Sequence, residues 1–167
     1  MLMHTVGSFR RRALDPRFAE WPVGTVFTRD DVSILGQSLV EAARAVGTPL
    51  VRVGERSVPS AEGRFCCVVV TRVEAVIAAE SGVGEEVWLD AELDADAVVR
   101  GSALLLGRAG TRMRRPYVVR PALHPGDLRI ALPGDVAEGD LVALACRRPV
   151  ALHDIRRRAY HPERLSG

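Results

Sequence analysis

After Pro49 the apolar residues of this chain stop recurring every three to four positions and begin to alternate, and that shorter period persists almost to the end. Leu50-Val-Arg-Val53 reads as a short strand, Gly54 to Gly63 as a loop containing Pro59, and Phe65 to Ala79 as a long β-rich run built on Val68, Val69, Val70, Val73, Val76 and Ile77. Ser81-Gly-Val-Gly84 then turns the chain. Glu86 to Leu93 sets Val87, Leu89 and Ala91 against Trp88, Asp90 and Glu92, the pattern of a strand with one wet face. Gly101 to Arg108, Arg115 to Arg120, Leu128 to Leu132 and Leu141 to Ala145 continue the series, separated by His124-Pro-Gly126, Pro133-Gly134 and Gly139. No alternation of strand with helix runs through this region, which argues against a parallel doubly wound sheet.

One helix precedes the strands. Asp30 and Asp31 can cap it, and Val32, Leu35, Leu39, Ala42 or Ala43, and Val46 recur at helical spacing until Gly47-Thr-Pro49 stops it, with Gln37, Glu41 and Arg44 facing water. Gly36 inside it costs about 1 kcal/mol against alanine. Residues 7 to 29 are punctuated by Pro16, Pro22 and Gly24 and form an irregular lead-in that lays Phe18 and Trp21 on the body. The expectation is a single α+β domain over residues 1–167, an antiparallel β-sheet with one principal helix packed on it.

Composition bounds the function. All 23 basic residues are arginine, the net charge is +2, and 47% of the chain is hydrophobic against 26% charged. Basic residues cluster only at Arg10 to Arg12 and Arg156 to Arg158, too short for a nucleic-acid patch. No run approaches the roughly 18 apolar residues of a membrane helix, and no apolar stretch follows the N-terminal arginines as in a secretory leader, so a cytoplasmic protein without nucleic-acid or membrane partners is expected. Cys66, Cys67 and Cys146 lie in apolar runs and read as buried free thiols; His4, His124, His153 and His161 are scattered, and no spacing supports a metal or an organic cofactor.

The residues left for chemistry are carboxylates, arginines and apolar strand faces, a set suited to a small anionic (carboxylate) ligand. Leu141-Val-Ala-Leu-Ala-Cys-Arg-Arg-Pro-Val-Ala-Leu-His-Asp-Ile155 reads as a hairpin or two consecutive strands, and alternation places Asp154 in line with Val150 and Leu152. A carboxylate on a core face is either paired with a cation or kept protonated by burial, which makes Asp154 the candidate acid; the alternative is a strand that ends at Leu152 and leaves Asp154 a solvated terminus. Arg72 interrupts the most valine-rich strand, Arg108 follows a leucine run, and Arg147 and Arg148 sit at the turn; these are the candidate anion ligands.

Three pieces, Leu14-Asp-Pro-Arg-Phe-Ala-Glu-Trp21, Leu106-Gly-Arg108 and Arg148-Pro-Val-Ala-Leu-His-Asp154, resemble the chorismate lyase family in order and separation. Together they touch about a third of the chain. The resemblance implies a small α+β lyase that eliminates pyruvate from a chorismate-type carboxylate without a cofactor. It places the family's catalytic strand arginine on or near Arg72 and its C-terminal acid, usually Glu, on Asp154, with Arg108, Arg147, Arg148 and His153 around the substrate. The chain departs from the family in that shorter acid, and it carries Ala137-Glu-Gly-Asp140 where a basic segment is expected. Two other readings compete: a hot-dog acyl-thioester enzyme using Glu41 on the long helix, and a non-catalytic ligand-binding domain on the lyase-like scaffold. Convergence of Arg72 and Asp154 on one enclosed pocket would favour the lyase.

Overall fold

A computed structural model describes residues 19–78, 84–122 and 128–156. Most of the Leu14 to Trp21 piece and His4, His124 and His161 lie outside the described residues. The chain forms β1 (Thr25–Phe27), β2 (Val32–Ile34), β3 (Gln37–Ser38), α1 (Leu39–Val46), β4 (Leu50–Ser60), β5 (Gly63–Ile77), β6 (Glu86–Leu93), β7 (Leu104–Leu106), β8 (Arg114–Ala122), β9 (Arg129–Pro133), β10 (Leu141–Cys146) and α2 (Leu152–Ile155). Strands dominate, and the main sheet curls into a near-barrel rather than lying flat beneath one principal helix.

The wall of the near-barrel runs β7-β10-β5-β6-β8-β9, with β4 also paired to β5. All pairs are antiparallel except β6 with β8. β9 and β7 are joined by side chains instead of a ladder: the Arg114 guanidinium donates to the carbonyls of Ala103 and Ala131, from either side of the gap. Beside it, Gly110 lies so close to Pro133 that a Cβ there would meet the proline ring at 2.5 Å.

β5 is shared along its length. β4 takes one edge as far as Val70, β6 takes the continuation of that edge from Val73, and β10 holds the opposite edge. At the changeover the Arg72 N–H has no strand partner, and Asp90 fills the gap by accepting from it at 2.9 Å while its second oxygen accepts from the Thr48 hydroxyl.

Cys66-Cys-Val-Val-Val-Thr71 and Leu141-Val-Ala-Leu-Ala-Cys146 are buried throughout, because both faces of β5 and β10 are covered. Cys67, Val69, Val73, Val142, Leu144 and Cys146 point into the barrel, where they meet Leu89, Tyr117 and Leu132. Val68, Val70, Ala143 and Ala145 point outward under a second layer of Trp21, Val32, Leu39, Val40 and Ala43. The alternation of Glu86–Leu93 holds, with Val87, Leu89, Ala91 and Leu93 buried.

The helix expected from Asp31 begins only at Leu39. Leu35 and Gly36 adopt positive φ of 50° and 80°, which closes a two-residue hairpin between β2 and β3 that no helix can contain. Asp31 still caps α1, but across that hairpin: one carboxylate oxygen accepts from the N–H groups of Val32 and Val40 at 2.7 and 3.2 Å, and the other accepts from the Ser38 hydroxyl. Ser38 is the N-cap and accepts from the Glu41 N–H at 3.1 Å. Val32, Leu39 and Ala43 are buried in either reading, so their spacing does not separate the two, whereas Leu35 and Val46, expected on the same stripe, are 78% and 71% exposed. Gly36→Ala does separate them. In a helix it stabilises by about 1 kcal/mol; in this turn, with open space around it but φ at 80°, it should destabilise by about 1 kcal/mol in urea unfolding.

α1 has 8 residues and lies outside the barrel, whose interior is filled by strand side chains. That arrangement departs from the long wrapped helix of the hot-dog reading, and Glu41 faces solvent on its outer side.

Candidate active site

The C-terminal part of the chain supplies the site. After Cys146 the backbone turns at Arg147 to Pro149 and then makes the single helical turn α2, in which the Asp154 N–H donates to the Ala151 carbonyl and the Arg156 N–H to that of Leu152. The second strand expected here is absent because Leu152 and Ile155, three positions apart, both lean on the barrel as one turn of helix allows. Asp154 consequently leaves the core face. Its side chain is 65% exposed and meets His153, whose Nε2 lies 2.9 Å from Oδ1 and whose own side chain is 84% exposed.

Between this turn, the end of β6 and the end of β10 is a cavity of about 180 Å³. Leu93, Ala97, Val98, Cys146, Val150 and Ile155 form its apolar floor, and Asp94, Arg148 and Asp154 supply its polar groups. The Arg148 guanidinium donates to Asp94 at 2.8 Å, and Asp94 is fixed in turn by accepting from the Asp96 N–H at 3.0 Å. The 94–99 loop is laced to β10 through Arg147 N–H to Ala97 O at 2.8 Å and Val99 N–H to Ala145 O at 2.9 Å. Arg147 is half-buried, and its carbonyl accepts from the buried guanidinium of Arg56, which also pairs with Glu20.

No family model, curated protein or solved structure matches this chain. The site is therefore read from its own geometry.

Two of the residues expected from sequence, Arg148 and Asp154, meet at one cavity. Arg72 does not join them. It is exposed on the outer face of β5 opposite Leu141, whereas the cavity begins opposite Cys67 at Cys146, the other end of β10. At about 3.4 Å per residue the two ends are roughly 17 Å apart. Arg108 is also committed elsewhere: it forks onto both oxygens of Asp140 at 2.8 and 2.5 Å and reaches Asp135 at 3.0 Å. These bonds raise its pKa, Asp140 first, and Arg108 together with the Thr111 N–H holds Asp135 below the usual carboxylate range. The clamp ties the segment after β7 to the turn between β9 and β10.

The cysteines read from sequence as buried free thiols, and all three are buried and free. Cys67 and Cys146, however, stand directly opposite each other across β5 and β10, and Cys146 forms part of the cavity floor. Asp94, Cys67 and Cys146 were not among the sequence candidates. Asp94-Ala-Asp96 carries the signal of an Asx turn, but the cysteine pairing depends on a register between distant strands that no local pattern shows. Among the described residues no group of three His, Cys, Asp or Glu side chains is placed to hold a metal ion, and no helix is long and apolar enough to cross a membrane.

Proposed function

We propose that this protein binds a small carboxylate-bearing molecule in the cavity between β6, β10 and α2, with Arg148 as the anion ligand. The observation that carries the reading is the meeting of Arg148 with an apolar floor at one concavity. Apolar walls with a few convergent polar groups are what small-molecule sites share. Asp94 holds Arg148 in place before the ligand arrives, so little side-chain entropy remains to be lost on binding. The volume, about 180 Å³, falls below the roughly 300–1,000 Å³ of drug-sized pockets. It suits an acid of a few carbons or a single substituted ring.

The second reading is the lyase that the resemblance implies, with chorismate as substrate and pyruvate eliminated. Its support is that Arg148 and Asp154, the ends of the third matching piece, both border the cavity. Arg148 would take the place foreseen for Arg72 in orienting a carboxylate, and Asp154 would carry the proton to the departing enolpyruvyl oxygen. At 65% exposure Asp154 stands in water and not in the dry site that such a proton transfer needs, which favours binding over turnover.

Calorimetric titration with pyruvate, 4-hydroxybenzoate and chorismate tests both. Binding of at least one acid is expected, and Arg148→Ala should weaken it about tenfold, at the low end of the 1.5–3 kcal/mol of a hydrogen bond to a charged group because Arg148 is half exposed. Absence of heat with all three acids would remove the first reading. Pyruvate release from chorismate, followed with a coupled reductase, would establish the second, and its absence would confine the protein to binding.

A further inference from the structure

We propose that Cys67 and Cys146 form a reactive dithiol that a hydroperoxide closes into a cross-strand disulfide, loosening the cavity lip as it does so. Directly opposed residues of an antiparallel pair have Cα atoms about 4.5–5.5 Å apart, and a disulfide spans Cα separations of about 4.4–6.8 Å. Both side chains point into the barrel, so the bond can form without moving the ladder. The register sets the two thiols side by side, and the Cys146 S–H favours the Cys67 thiolate. Cys66, the neighbour of Cys67, points to the opposite face, against the Gly54 carbonyl at 3.8 Å, and takes no part.

The pair is reached through the cavity. Cys146 lies on its floor, and a hydroperoxide is small enough to enter. The Cys146 sulfur attacks a peroxide oxygen, the O–O bond breaks, and the departing hydroxide takes the Cys146 proton to leave as water. The sulfenic sulfur is then attacked by Cys67, the S–O bond breaks, and the second hydroxide leaves as water with the Cys67 proton. Two thiols lose two electrons in all and one hydrogen peroxide is reduced to two waters.

The surroundings suit Cys67 for the second step, the attack on the sulfenic sulfur. The Cys146 S–H and, more weakly, the Val150 N–H stabilise the Cys67 thiolate and lower its pKa despite burial. Donating that proton and burial raise Cys146. Cys67 also ties down the lip, since its S–H donates to the Arg148 carbonyl at 3.4 Å. Cross-linking removes that donor.

The test uses the full chain with Cys66→Ser, treated with hydrogen peroxide under native conditions and then denatured for thiol counting and peptide mapping. Both remaining thiols should disappear with a mass loss of two hydrogens. A Cys67–Cys146 cross-linked peptide should appear and reverse with dithiothreitol, and the Val150 amide should exchange faster in the oxidised chain. Mapping of the unsubstituted chain gives the same answer should Cys66→Ser fail to fold. Thiols that survive peroxide, a disulfide between molecules, or oxyacids on either sulfur without a cross-link would overturn the proposal, as would unchanged Val150 exchange for its lip. None of these outcomes depends on the cavity taking a carboxylate.

Discussion

Leu144→Ala should lower the stability of the folded chain by about 3 kcal/mol, read as a shift of the urea midpoint at constant slope. Leu144 is fully buried at the centre of β10, faces the barrel interior and sits directly opposite Val69 of β5. Both strands are held on each side by a ladder and on their outer faces by a second layer, so neither can move inward to fill the space left by the lost carbons. A cavity that cannot collapse keeps its full cost, about 24 cal/mol per Å³ beyond the transfer free energy. Against a total of roughly 5–15 kcal/mol for an ordinary domain this is a large fraction. Val46→Ala, at a residue 71% exposed near the end of α1, should change stability by no more than about 0.5 kcal/mol. Similar effects at the two positions would mean that the barrel interior is not packed as described.

What could be read from the sequence was what depends on near neighbours. The continuous apolar runs of β5 and β10 and the alternation of β6 follow from how many faces each strand buries, and both patterns are local. The start of α1 was misplaced because Val32, Leu39 and Ala43 satisfy helical spacing equally well when a hairpin intervenes; Leu35-Gly36 decides the matter through its backbone angles alone. Closure of the sheet was hidden for another reason. It rests on the parallel pairing of β6 with β8 and on the reach of Arg114 and Arg108 across the seam, contacts between segments with no shared local signal. The site divides along the same line: Arg148 and Asp154, six positions apart, stay together, while Arg72 is carried to the far end of β10 by register.

Glu20→Ala should be the most damaging change at a charged position, at about 3 kcal/mol, because it strips the carboxylate from a cation that has nowhere to go. The Arg56 side chain is 2% exposed, that of Glu20 32%. With Glu20 gone the guanidinium keeps the Arg147 carbonyl, an uncharged acceptor, and a buried charge without its counter-ion costs more than the pair contributed. Arg56→Met should cost less, since Glu20 can be re-solvated where it stands and the methionine stem covers the same apolar surface. The double variant should then be no less stable than Arg56→Met alone, and the coupling energy from the four proteins measures the ion pair. Because Arg56 also holds the carbonyl of Arg147, next to the anion ligand Arg148, Glu20→Ala should weaken carboxylate binding although Glu20 itself lies off the cavity. Denaturant unfolding and calorimetry on the same four proteins check both effects; a cost below about 0.5 kcal/mol for Glu20→Ala would show that the pair is open in solution.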